Sequence, residues 1–396
     1  MNILYITTSL LKNESASIRN ISLINGLIEN NCKVKVVTLD YVKNLEDTFL
    51  RDSLDSNVEV EKIKIPNFNK LFSLVQKVKE NKKIGNSFFF KIKNLIKEFI
   101  FFPDVYFESI KNSKGINIMN EKFDYIISSS DSKTSHFIAR EIIKNNNLIV
   151  PWIQIWGDPW SDDIGIKNCN FLTKYRIKKN EKKLLKEADK IFYISELTAN
   201  KIKDKFSVLS GKIYTLSRSY LKEINSENEN SKIIFSYTGS IKNRNLFPLI
   251  ESIDEYNKQQ NNQKPIEFNL YGVDLEIKNL ESKRFINIYP RLSFKEILEV
   301  YKKSDVLIYI DNLHNSTQIP GKIYDYFGTN KVILALYENE KTKNFLEKYN
   351  RVELIFNKGK FSLNNIIKKV NTNYILKDFS PKIVAKNFLK NIQKNK

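Results

Sequence analysis

The chain is poor in the residues that most often announce chemistry. In 396 residues there are two cysteines, Cys32 and Cys169, and two histidines, His136 and His314. Scattered in this way they make no metal-ligand spacing, so no metal is expected, and two cysteines build no disulfide framework, so a reducing cytoplasm is the expected setting. No Gly-x-Gly-x-x-Gly follows the first apolar run, where the loop reads Thr7-Thr8-Ser9-Leu10-Leu11-Lys12. The usual argument for NAD or FAD is thereby removed, and neither a Walker sequence nor a Gly-x-Ser-x-Gly elbow occurs. No run approaches the roughly 18–20 apolar residues of a membrane-spanning helix. The opening Met1-Asn2-Ile3-Leu4-Tyr5-Ile6 has no basic lead and reads as a strand, not as a signal peptide.

What is present describes a globular chain of at least two domains. Hydrophobic residues make up 41% and charged residues 28%, a balance that buries a core and excludes disorder. The formal net charge is +20. Residues 1–200 carry 31 basic and 24 acidic residues, a net of +7, and the remainder carries 34 and 21, a net of +13. Two stretches concentrate it: 67–102 holds eight lysines against Glu80 and Glu98, and 358–396 holds ten against Asp378 alone. Such excesses suit donor phosphates, lipid head groups or nucleic acid, and charge alone does not choose among them.

Short runs rich in Ile, Val, Leu and Tyr alternate with helical patterns, the signature of parallel α/β units. Strands are expected at 2–7, 33–38, 124–128, 150–155 and 191–194, then at 232–237, 266–271, 285–288, 306–310 and 331–336. A helix is expected over 17–30, with Ile18, Ile21, Leu23, Ile24, Leu27 and Ile28 as its apolar face. The polar stretch 217–232 is the linker candidate, and strand, glycine turn and helix start again at Tyr237-Thr238-Gly239-Ser240. The expected fold is α/β, with two doubly wound Rossmann-like domains. The boundaries are 1–215 for the first domain, 216–232 for a linker, 233–375 for the second domain and 376–396 for a basic helix packing back on the first domain. Within the first domain, Phe88, Ile92, Leu95, Ile96, Phe99 and Phe102 recur at helical spacing inside the basic insertion 67–102. Two readings stand there: a helix packed on its own domain, or a basic amphipathic element lying on an anionic bilayer.

Ligands of doubly wound sheets bind at the carboxyl ends of strands, and three such places hold polar residues. The run Pro151-Trp152-Ile153-Gln154-Ile155-Trp156 ends in Gly157-Asp158-Pro159-Trp160. Asp158 and Trp160 stand there as candidate catalytic and acceptor-side residues, a plain Asp-Pro turn being the alternative. After Val306–Ile310 comes Ser316-Thr317-Gln318-Ile319-Pro320-Gly321-Lys322-Ile323-Tyr324-Asp325, with Gly328 closing the helix. Donors at that helix start and Lys322 suit phosphate oxygens, and Asp325 one turn on suits a sugar hydroxyl, against the alternative of a solvated surface helix. The third place is Gly239-Ser240-Ile241-Lys242-Asn243-Arg244, where a glycine lets backbone approach a diphosphate and Lys242 or Arg244 neutralises it.

In order and spacing these segments resemble the retaining GT-B glycosyltransferases grouped as family 4, over almost the whole chain. The resemblance runs through Phe123-Asp124-Tyr125-Ile126-Ile127-Ser128-Ser129-Ser130 and His136, Asp158-Pro159-Trp160, Glu181 and Glu187-Ala188-Asp189-Lys190-Ile191. It continues through Ile194-Ser195-Glu196, Tyr237-Thr238-Gly239-Ser240 with Arg244, Ser304-Asp305-Val306-Leu307-Ile308 and Pro320-x-Lys322-x-x-Asp325-Tyr326. It implies a GT-B fold, with an acceptor-side first domain and a donor-binding second domain facing each other across a cleft. It also implies a retaining hexosyltransferase that takes a nucleotide-sugar donor and a glycan or lipid-linked acceptor, without cofactor or metal. Surface-polysaccharide biosynthesis, in the cytoplasm or at the inner face of the membrane, would be its setting. Gly239, Ser240, Lys242 and Arg244 would hold the diphosphate; Ser316, Thr317, Gln318 and Lys322 the phosphate or sugar; and Asp325 the ribose. Arg19 falls where related chains carry an arginine at the interdomain cleft, a solvated helix arginine being the other reading. The chain departs from the pattern at Thr317, where the first of two acids eight apart is usual, and in lacking a glycine pair after the first strand. An inactive scaffold is one alternative and a basic nucleic-acid binder another, although no nucleic-acid module is present. An epimerase of the same fold is disfavoured because the expected histidine and glutamate pairs are missing.

Overall fold

A computed structural model describes residues 1–41, 45–65, 101–163, 166, 169–241, 244–259, 264–273, 283–311 and 320–394. The chain divides into two compact units, Met1–Ser217 together with Val384–Lys396, and Arg218–Ile383.

The first unit is built on seven strands: β1 Asn2–Thr7, β2 Lys33–Asp40, β3 Glu59–Lys64, β4 Tyr125–Ser129, β5 Trp152–Trp156, β6 Lys190–Tyr193 and β7 Ile213–Thr215. They pair in parallel in the order β3-β2-β1-β4-β5-β6-β7. Helices on both faces make the central strands apolar without alternation: Ile3, Leu4, Tyr5 and Ile6 are all buried. The helix Ser15–Glu29 follows β1 and sets Ile18, Ile21, Ile24 and Leu27 inward. Because the order turns between β1 and β4, the carboxyl ends of those strands diverge into opposite connections and leave a crevice between them.

The second unit repeats the scheme with β8 Ile233–Thr238, β9 Ile266–Tyr271, β10 Ile286–Tyr289, β11 Val306–Ile310, β12 Val332–Tyr337 and β13 Val352–Phe356. Their order is β10-β9-β8-β11-β12-β13, again all parallel, with the turn of order between β8 and β11. Phe235, Phe268, Ile308 and Leu334 form the centre of its core. The stretch with linker composition belongs to this unit: Arg218, Ser219, Tyr220, Leu221 and Ile224 are buried, and Ile224 bridges to Thr329. Its polar residues are spaced by apolar ones that pack inward, which composition averaged over the stretch conceals.

The helix Lys322–Phe327 spans six residues and ends on Gly328 at φ −77°. Gly328 is needed there for space, not for a left-handed backbone, since a Cβ would lie 2.6 Å from Cγ of Tyr220. The helix Pro381–Gln393 belongs to the first unit, where Phe388 meets Phe192 edge-on at 4.8 Å. Lys190 Nζ caps its end, donating to the carbonyls of Asn391 at 2.6 Å and Ile392 at 3.2 Å, a cation placed at the negative end of the helix dipole. Among the described residues no helix is long and apolar enough to cross a membrane. The amphipathic pattern expected over 67–102 lies outside the described residues, apart from Phe101 and Phe102.

Candidate functional site

In each unit the polar side chains gather where the strand order turns. In the first unit the strand end Ser128-Ser129-Ser130-Asp131 meets the first helix through Arg19, whose side chain is buried. One Arg19 guanidinium nitrogen donates to the Ser130 carbonyl and lies 3.4 Å from Ser129 Oγ, and the other lies 3.5 Å from Asp131 Oδ2. Asn20, its neighbour on the helix, donates to Thr7 Oγ1 at 2.9 Å and to the Ser9 carbonyl at 2.7 Å, which fixes the loop after β1 without a glycine pair. Asp131 folds over Gly157, so closely that a Cβ on Gly157 would come within 2.1 Å of its carboxylate. Lys133 Nζ donates to the Asp158 carbonyl at 2.9 Å and lies 5.1 Å from the centre of the Trp156 ring.

Asp158 therefore sits among partly buried groups of both signs. Burial, and next the Asp131 carboxylate, push its pKa up to about 6, while Lys133 pulls the other way. The turn that carries it is clamped from below. Glu181, fully buried on the helix Phe171–Glu187, accepts from the backbone N–H of Trp160 at 2.7 Å and of Ser161 at 3.1 Å. Such pairing satisfies a buried carboxylate and locks the loop. Trp160, expected on the acceptor side, follows this turn. Its ring is buried in the core, 5.5 Å from Phe102 and 6.0 Å from Phe137, and acts as a packing residue. His136 is buried too, bonded through Nδ1 to Ser128 Oγ at 2.8 Å and stacked on Trp156 at 4.4 Å. Burial drives its pKa well below the usual value, so it is held neutral.

In the second unit β8 ends in Gly239 at φ +107°, a conformation that disfavours any side chain. Its N–H donates to the Tyr271 carbonyl at 2.7 Å. Lys322 leans over this glycine: its Nζ would be 3.2 Å from a Cβ there, donates to the Thr238 carbonyl, and lies 4.1 Å from the centre of the Tyr237 ring. The ring face favours an ammonium. Burial, and next the neighbouring Arg244, oppose it and bring the pKa down to about 7. Arg244 spans the strand ends, donating from Nε to the Ile310 carbonyl at 3.1 Å and from an Nη to the Ser240 carbonyl. Ser240 itself is exposed.

Asp325 stands one turn along from Lys322 and is buried. Its Oδ2 is 3.5 Å from Arg218, and its Oδ1 has no hydrogen-bond partner among the described residues. Burial raises its pKa to about 6, with Arg218 pulling it back. Gly239, Ser240, Arg244, Lys322 and Asp325 are thus gathered at one end of the sheet, and Arg19 and Asp158 at the corresponding end of the other. Lys242, Ser316, Thr317, Gln318 and His314 lie outside the described residues. Sequence reasoning passed over Asp131, Lys133, Glu181 as a clamp, and Arg218. The Ser-Asp-Ser-Lys run directly after β4 was the available signal for the first two, since it occupies a strand end at the turn of order.

No family model matches the chain, and no curated protein matches it. Solved structures do. The UDP-GlcNAc 2-epimerase from Methanocaldococcus jannaschii superposes with a TM-score of 0.56 at 11% identity, covering 99% of both chains. A variant of S. aureus TarM, solved with fondaparinux, alpha-GlcNAc-glycerol and UDP, gives 0.54 at 11%, covering 100% of this chain and 97% of that one. Sucrose-phosphate synthase from Thermosynechococcus elongatus gives 0.54 at 10%, covering 99% and 94%. These likenesses establish the fold: two doubly wound parallel-sheet units of the GT-B type.

Proposed function

We propose that the protein is a glycosyltransferase whose second unit binds a nucleotide-sugar donor and whose first unit handles a glycan or lipid-linked acceptor. The observation that carries this is the strand-end geometry of the second unit. A glycine at φ +107° follows the strand, Lys322 leans over it and Arg244 holds the Ser240 carbonyl beside it, with no carboxylate paired to either cation among the described residues. That is a surface made for a diphosphate. The bond between the anomeric carbon and the diphosphate breaks as the acceptor oxygen bonds to that carbon. The cations offset charge growing on the leaving diphosphate, and Asp158, part-ionised near neutral pH, offsets the cation-like sugar. Asp325, with one oxygen unsatisfied, would accept from a ribose or sugar hydroxyl. Retention at the anomeric carbon, surface-polysaccharide synthesis and a peripheral place on the membrane belong to the same reading. Support for the transfer reading also comes from TarM and sucrose-phosphate synthase, whose fold it shares.

The test is a thermal-shift screen against UDP, GDP, ADP, CMP and their sugar conjugates, because a ligand of the native state raises its apparent stability. A shift with one nucleotide is expected, lost in the Lys322→Ala and Arg244→Ala variants. No shift with any nucleotide at saturating concentration sinks the donor site and leaves the inactive scaffold. Incubation with UDP-GlcNAc, followed by NMR, separates transfer from epimerisation: an epimerised nucleotide sugar formed without acceptor would replace this reading.

A further inference from the structure

Among the described residues of the first unit, three exposed apolar side chains open the same helix. Phe171, Leu172 and Tyr175 at the start of Phe171–Glu187 are 80%, 66% and 58% exposed. Below them the outward side chains are lysines: Lys174, Lys178, Lys179, Lys182, Lys183 and Lys186 are all exposed, and Glu187 is the one exposed acid of the helix. At 3.6 residues per turn, Phe171, Tyr175, Lys178, Lys182 and Lys186 share a stripe roughly 80° wide, on a rod roughly 25 Å long. The opposite face is spent on the core, where Ile177, Leu184 and Leu185 are buried with Glu181.

The helix is held as a rigid piece. Asn170 caps it by accepting from the Thr173 N–H at 2.9 Å, and Arg176 lies 4.2 Å from the centre of the Phe102 ring. Since it follows the carboxyl end of β5 and runs back to β6, its apolar end lies at the sheet edge that carries Arg19, Asp131 and Asp158.

We infer that this face docks the first unit on an anionic lipid bilayer, with Phe171, Leu172 and Tyr175 entering the interfacial layer and the lysine row lying along the head groups. A bilayer offers hydrocarbon and anionic charge side by side, the two things this stripe presents in succession. Nucleic acid matches the lysines but gives Leu172 nothing to pack on. The inference rests on the proposed function only for the lipid-borne acceptor that would make such docking useful, and its test requires no transfer.

The full-length protein is sedimented with phosphatidylcholine vesicles containing or lacking phosphatidylglycerol. Binding to the anionic vesicles alone is expected, weakening as salt screens the lysines. The combined Phe171→Ser, Leu172→Ser, Tyr175→Ser variant should lower partitioning by about tenfold or more. The combined Lys178→Gln, Lys179→Gln, Lys182→Gln variant should do so most strongly at low salt. Both should keep the wild-type melting temperature and nucleotide shift, and Ile149→Ser with Val208→Ser, at exposed apolar residues elsewhere on the unit, should change nothing. Wild-type protein that ignores anionic vesicles overturns the inference. So do helix variants that bind like wild type, including the case where Phe88→Ser, Ile92→Ser, Phe99→Ser alone removes binding. Preferential retention on nucleic acid, lost in the same lysine variant, also overturns it. A missing nucleotide shift in the wild type would instead strike the donor site and leave the vesicle result standing.

Discussion

The two strand-edge clusters occupy equivalent places in their sheets and are balanced in opposite ways. In the first unit Arg19 is paired with Asp131 and donates to the Ser130 carbonyl, while Lys133 holds the Asp158 carbonyl. In the second unit Lys322 and Arg244 hold backbone carbonyls and, for Lys322, a ring face, with no carboxylate paired to either among the described residues, while Asp325 is buried against Arg218. A doubly wound unit thus acquires its ligand preference from a few residues at the turn of order. A cation surplus over bare backbone selects an anion, and a neutralised, carboxylate-lined edge selects hydroxyls and developing positive charge.

The comparison breaks or sharpens at several points. The largest effect is expected for Asp158→Asn, which should lower transfer by on the order of 10²–10⁴ and leave the nucleotide thermal shift intact. If the shift disappears with the activity, the two edges do not divide the work. Next is Arg218→Met, which strands a buried carboxylate and should destabilise the protein by about 3–5 kcal/mol in denaturant titration. Arg19→Met should cost about 1 kcal/mol, because its partner Asp131 is 38% exposed and can turn to water. Equal losses would contradict the difference in how the clusters are held.

Lys322 makes a pH prediction of intermediate size. Its pKa near 7 in the free protein lies below the 10.5 of an ordinary lysine, so the ammonium that a diphosphate needs is lost above neutrality. Nucleotide affinity should fall by about tenfold per pH unit above pH 7, and calorimetry in two buffers should detect proton uptake on binding. The sign for stability runs the other way: burying the ammonium opposes folding below pH 7, and the penalty fades as pH rises towards 10.5. Lys322→Met should therefore raise the melting temperature more at acid than at alkaline pH. Flat responses would place Lys322 in ordinary solvent. On the smaller side, Gly239→Ala should cost about 1–2 kcal/mol of folding stability from backbone strain, measured by denaturant titration.

What could be read beforehand follows burial. The ten strands expected from apolar runs all occur, with ends shifted by one or two residues, since each is covered on at least one face over most of its length. The strands not foreseen, β3, β7 and β13, are all at sheet edges. In β3, Glu59-Val60-Glu61-Lys62-Ile63-Lys64 buries only Ile63 fully, so no hydrophobic run marks it. The site shows the same limit. Gly239, Lys322 and Asp325 were legible because glycine turns and a short helix put them at predictable places along the chain. The Arg218–Asp325 pair was not, because its arginine lies in a segment whose composition reads as linker. The packing of Trp160 on Phe102 and Phe137 was not legible either, because a strand-end indole has the same sequence signature whether it meets a ligand or other rings.

The helix Pro381–Gln393 has a consequence for the order in which the protein can be made. It completes the first unit, with Phe388 against Phe192 and Lys190 against carbonyls 201 and 202 positions later. On the ribosome, everything from Arg218 to Ile383 emerges before that helix does. The unit that begins first finishes last, and until then Phe192 and its neighbours present an uncovered apolar face.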